Sequence, residues 1–103
     1  MTRAEALHHI AAETGGIVRY GRSLRYDYDK GGHVVGDPTE VGVRAGDWYV
    51  TGEPGSLMLS WVGSIERAPC GGTPTVLTAD DAIAVIREPH RWREVQARWE
   101  AQP

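Results

Sequence analysis

Four carboxylates around two large aromatic side chains make the densest recognition chemistry in this chain. Asp37, Glu40, Asp47 and Glu53 share a short stretch with Trp48 and Tyr49, against one cation, Arg44. Acidic groups steer a basic partner during encounter, and Trp and Tyr are the side chains that anchor protein interfaces. The pattern predicts a protein-binding surface made of Asp37, Glu40, Asp47, Trp48, Tyr49 and Glu53.

A second constellation interleaves cations and rings: Arg19, Tyr20, Arg22, Arg25 and Tyr26. Guanidinium groups pair with phosphates and tyrosine rings stack on bases, so this is the alternative, a nucleic-acid surface. The chain as a whole carries a formal net charge of −3, and Asp27 and Asp29 stand among these cations. It therefore lacks the broad basic footprint of a nucleic-acid-binding domain. A strand with one core face and one solvated face would give the same alternation.

Enzymatic readings are thinner. Cys70 sits in Pro69-Cys70-Gly71-Gly72, a loop that would expose a thiol, but a working thiolate needs a base, and only the fold could bring one. His33 and the Asp27/Asp29 pair are the remaining parts from which a small enzyme could be assembled. His8 and His9 are adjacent on a helical segment and project about 100° apart, so they do not chelate one ion. Asp27, Asp29, Asp37 and Glu40 lack the Asp-x-Asp-x-Asp-Gly spacing of a calcium loop. Gly31-Gly32 and Gly71-Gly72 belong to no phosphate-binding motif. The expectation is a non-enzymatic protein with no metal and no cofactor.

The elements that must position these residues are written in the glycines and alanines. All thirteen glycines lie between Gly15 and Gly72, whereas nine of the eleven alanines lie before or after that stretch. Glycine costs a helix interior roughly 1 kcal/mol relative to alanine and supplies the backbone angles that tight turns need. Helices are therefore expected at both ends and strands between them. Thr2 and Glu5 have the spacing of a capping box, followed by Leu7, Ile10 and Ala11 at helical intervals up to Gly15, which predicts a helix over 3–14. Strands are expected at 17–20, 24–29, 33–35, 40–44, 47–51 and 57–63. Gly21-Arg22-Ser23 is read as a hairpin loop and Gly36-Asp37-Pro38 as a break. Residues 67–77 read as an irregular connection. Thr78 before Ala79-Asp80-Asp81 caps a second helix, and Pro89 ends it and opens a third, on which Trp92, Val95 and Trp99 share a face.

The expected fold is α+β: an antiparallel sheet of five to six strands, about residues 17–63, flanked by an N-terminal helix and two short C-terminal helices. A chain of 103 residues has room for a single domain, 1–103. No run approaches the ~20 apolar residues of a membrane span. One cysteine rules out an internal disulfide framework and fits a cytoplasmic setting. Ten arginines against one lysine, with no Asn and no Phe, point to a GC-rich bacterial or phage genome. Without Phe, the large rings of the core must come from Trp and Tyr. These features together favour a small protein-binding module of inhibitor, immunity or regulatory-adaptor type, leaving its oligomeric state open.

Overall fold

A computed structural model describes all residues, Met1 to Pro103, and shows an α+β fold with a five-stranded antiparallel sheet and three α-helices. Helix α1 (Arg3–Thr14) opens on the expected capping box: Thr2 accepts from the Glu5 amide, and the Glu5 carboxylate accepts from the Thr2 amide. It ends at Gly15, whose φ of 70° is a left-handed conformation that glycine adopts without steric cost. The strands follow in chain order as β1 (Ile17–Asp27), β2 (Gly32–Ala45), β3 (Trp48–Glu53), β4 (Ser56–Trp61) and β5 (Thr75–Val76), and each pairs with the next. Helices α2 (Ala79–Arg87) and α3 (Trp92–Glu100) close the chain. No helix is long and apolar enough to cross a membrane.

The expected loop at Gly21-Arg22-Ser23 and break at Gly36-Asp37-Pro38 do not exist. β1 runs straight through the first and β2 through the second, giving one ribbon of 11 and 14 residues. Two register shifts absorb the irregular sequence. Arg19 pairs Gly42 and Tyr20 pairs Glu40, so Val41 is extra; Arg22 pairs Pro38 and Leu24 pairs Val35, so β2 again spends one more residue than β1. Proline is tolerated at such a bulge and where no second neighbour needs its N–H. Pro38 meets both conditions, because β2 pairs with β3 only from Val43 to Ala45. Gly and Pro, read as turn residues, here mark bulges inside a strand.

Strand alternation sends Val43, Val50, Leu57, Leu59 and Val76 to one face, where Leu7 and Ile10 of α1, Ala82, Ile83 and Val85 of α2, and Val95 of α3 meet them. Trp48 belongs to this layer at 3% exposure and stacks edge-on against Trp61, ring centroids 5.2 Å apart. The two tryptophans supply the ring volume that phenylalanine would ordinarily provide. Asp81, buried at the start of α2, accepts from Arg98 at 2.7 Å and ties α2 to α3. On α3, Val95 is fully buried and Trp92 packs on the core, whereas Trp99 is only half-buried and stands outside it. The segment 67–77 is not wholly irregular: Thr75 and Val76 add an edge strand beside β4.

The helices cover only part of the sheet. Past Val18 and Val43 the β1–β2 ribbon leaves the core and extends unsupported, which stretches the molecule to 52 Å along its longest axis against 34 and 25 Å across.

Candidate binding surface

The six residues expected to form an acidic and aromatic patch are not brought together. Trp48 is in the core. Tyr49, its neighbour, points to the opposite face and reaches Gly42, where a Cβ would come within 2.7 Å of the phenol end of the ring. Asp47 is in the β2–β3 turn, 3.7 Å from Arg67, while Glu53 lies at the far end of β3 in the turn to β4. Glu40 stands on the helix side of the ribbon with its Oε1 3.1 Å from His8 Nε2. A backbone amide bond at Glu40 itself and the His8 imidazole hold its carboxyl below the ordinary value. Asp37 alone is exposed and unpaired on the ribbon. Adjacent positions on a strand face opposite ways and the strand separates its own ends, so closeness in sequence did not become a patch.

The arginine–tyrosine set does share one element. Both bulges fall on β2, so β1 keeps its strict alternation. Val18, Tyr20, Arg22, Leu24 and Tyr26 continue the helix side of the sheet, and Ile17, Arg19, Gly21, Ser23 and Arg25 continue the far side. The arginines and tyrosines are thus divided between two faces. Arg19, Arg22, Arg25 and Lys30 make no ion pair within the chain, and the ribbon offsets them with Asp27, Asp29, Asp37 and Glu40. Asp27 ends β1, and its Oδ1 accepts from the amides of Asp29 and Lys30 in the turn that follows.

What the ribbon exposes instead is apolar. Along its helix side, beyond the reach of α1, lie Leu24, Tyr26, Tyr28 and Val35, exposed by 64, 48, 88 and 56%. The Tyr26 ring meets Tyr28 at 4.8 Å and His33 at 5.3 Å, both edge-on, so the side chains form a preordered shelf. The shelf was legible in the alternation of Leu24, Tyr26 and Tyr28; its exposure was not, because the same alternation describes a strand lying on a core.

The residues expected for catalysis are separated. Cys70 lines an open cleft of about 650 Å³ with Ser60, Trp61, Ile65 and Thr73, and no lining side chain is a base. Its thiol donates to the Gly72 carbonyl at 3.2 Å, whereas His33 is on the ribbon against Tyr26. His8 and His9 reach different carboxylates, Glu40 and Asp80, as their helical spacing requires. No three His, Cys, Asp or Glu side chains gather where they could hold one metal ion. No protein-family model matches this chain, and no curated protein or solved structure matches it.

Proposed function

We propose that this protein is a non-enzymatic protein-binding module that contacts its partner with the β1–β2 ribbon. The observation that carries the reading is the shelf of Leu24, Tyr26, Tyr28 and Val35, held in solvent on an arm with no core of its own. Preordered tyrosines lose little side-chain freedom on binding, and burying such a shelf releases apolar surface from water. Two members of the acidic set lie on this arm, and Asp37, which unlike Glu40 has no ion-pair partner, would steer a basic partner. An inhibitor, an immunity protein or an adaptor, working in the cytoplasm of a bacterium or its phage, would use such a protruding element to enter a partner's cleft.

The test combines a photo-crosslinking residue at Tyr28 with the variant Leu24→Ser/Tyr26→Ser/Val35→Thr. A partner crosslinked at position 28 in the native host should be lost from the variant while its thermal midpoint stays that of the parent. A partner that binds both equally would move the surface off the shelf.

A second reading has its own observation. A two-stranded ribbon has the width that enters a DNA major groove, and Arg19 and Arg25 stand unpaired on its far side. Binding of duplex DNA that weakens steeply with salt and is lost in Arg19→Ala/Arg25→Ala would favour it over the first.

A further inference from the structure

The ribbon has a second unpartnered feature, independent of its shelf: the outer edge of β1. No element pairs along Ile17–Asp27 on that side. Long open edges are usually blunted by proline, by a bulge that twists the edge away, or by inward charge. Here both bulges and the proline are on β2, and they blunt that strand's own open edge between Val35 and Gly42, not the edge of β1. β1 itself contains no bulge residue and no proline, so the alternate amides that point away from β2 can donate along this edge.

Pairing of this edge with itself is restricted by parity. In an antiparallel pair, residues directly opposite each other share a face of the sheet, and successive residues alternate faces. A two-fold axis perpendicular to the sheet must therefore pass through one residue and its own copy, not between two. Centring on Arg22 sets that guanidinium against itself and Arg19 against Arg25, which is repulsive. Centring on Gly21 faces Ile17 with Arg25 and leaves Tyr26 and Asp27 unpaired. Centring on Ser23 sets Arg19 opposite Asp27 twice on the far side. It also sets Tyr20 opposite Tyr26 twice on the helix side, and Arg25 faces only Gly21. Its remaining pair sets Arg22 opposite Leu24, so of these three registers this one alone pairs opposite charges.

We infer that β1 is the interface of a symmetric homodimer, two copies pairing antiparallel over Arg19–Asp27 with Ser23 on the two-fold axis, to make a continuous ten-stranded sheet. The charges that would guard this edge against a foreign strand become, in that register, two cross-copy ion pairs. The inference concerns an edge and a second copy of this chain; it shares Leu24 and Tyr26 with the shelf, whereas Tyr28 and Val35 belong to the shelf alone.

Sedimentation of the purified protein tests it without any partner. The parent should sediment as a dimer. Arg19→Asp places two aspartates face to face twice and should weaken association on the order of tenfold or more. In a Cys70→Ser background, Ser23→Cys should oxidise readily to a covalent dimer, because only the axial residue meets its own copy; Arg22→Cys should not. A parent that is monomeric at every concentration up to its solubility limit overturns the inference. So does a dimer that survives Arg19→Asp unchanged, or one crosslinked through position 22 and not 23. A second shelf variant, Tyr28→Ser/Val35→Thr, keeps every residue of Arg19–Asp27, and should still crosslink through Ser23→Cys. Loss of partner binding and loss of dimer are thereby separate results.

Discussion

The two ends of the sheet are built from the same strand chemistry and reach opposite outcomes. From Val43 to Leu59, every inward position is buried beneath three helices, with Val43, Val50, Leu57 and Leu59 wholly excluded from solvent. From Tyr20 to Val35, the inward positions include Leu24, Tyr26 and Val35 beside Arg22 and His33, and the apolar ones face water. Alternation is common to both; what differs is whether a helix lies above. α1 spans only twelve residues, about 18 Å at 1.5 Å per residue, and seats Leu7 and Ile10 over the sheet's centre. The ribbon simply outruns its cover. Backbone pairing, the Glu40–His8 contact at its root and the Tyr26, Tyr28 and His33 rings hold it there, and a two-stranded ribbon is marginally stable in water, so it borrows its order from the packed end.

The most forceful way to break this comparison is to truncate one leucine at each end. Leu59→Ala should cost about 2–5 kcal/mol, because its site is sealed and collapses poorly. Leu24→Ala should stay within about 0.5 kcal/mol of the parent, since its side chain already lies in water. Denaturant midpoints measure both. Equal losses would mean that the ribbon is packed in solution, by a second copy or another surface. Amide exchange would show the same gradient, fast at the ribbon's tip from Tyr28 to His33 and slow along β3 and β4.

Gly42 marks the junction of the two regions, with the Tyr49 ring and the Val50 carbonyl where a side chain would be. Gly42→Ala puts its methyl 2.7 Å from that carbonyl oxygen, which a flexible side chain cannot relieve. A loss of about 1–3 kcal/mol is expected, as for overpacking of a tight site. A smaller effect would show that the ribbon swings at its root.

Within the packed end, Arg98→Met leaves the buried Asp81 carboxylate without its partner from α3. The expected cost is about 1–2 kcal/mol, in the lower part of the range for an orphaned buried acceptor because Arg98 is itself half-exposed. Thermal unfolding measures it, and near-ultraviolet circular dichroism of Trp92 and Trp99 reports whether α3 stays docked.

The smallest expected effect is at the start of α1. Thr2→Ala removes the cap and should cost about 1 kcal/mol. Glu5, bonded to the backbone amide and side chain of Thr2, has its carboxyl below the ordinary value. Its stabilising contribution is therefore present above the ordinary carboxylate range and is lost as the pH falls through the depressed value. Glu5→Gln should flatten the acid side of the stability profile and leave the neutral side close to the parent's.

Much of the fold was legible because it depends on local rules. Thr2 and Glu5 fixed a helix start, Gly15 its end, Thr78 the next start, and the glycine-rich middle could only be strands and turns. The ribbon was less legible. Gly21, Gly36 and Pro38 are turn residues on local grounds, and they became strand positions because β2 could bulge and had no second neighbour there. The expected site dispersed for a related reason. Spacing set Asp47, Trp48 and Tyr49 side by side, but strand pairing put Trp48 inside, Tyr49 outside and Asp47 in a turn beside Arg67.

By itself, then, the sequence determined where helices begin and end, which positions alternate, and that tryptophan must serve as core ring. Those properties rest on a residue and its neighbours within a turn or two of chain. The tertiary structure alone decided which apolar face was covered. Leu24, Tyr26 and Leu59 obey one pattern, and only the length and placement of α1 separate a core leucine from a surface one. Burial is a property of what lies above a side chain, and strand periodicity carries no record of that.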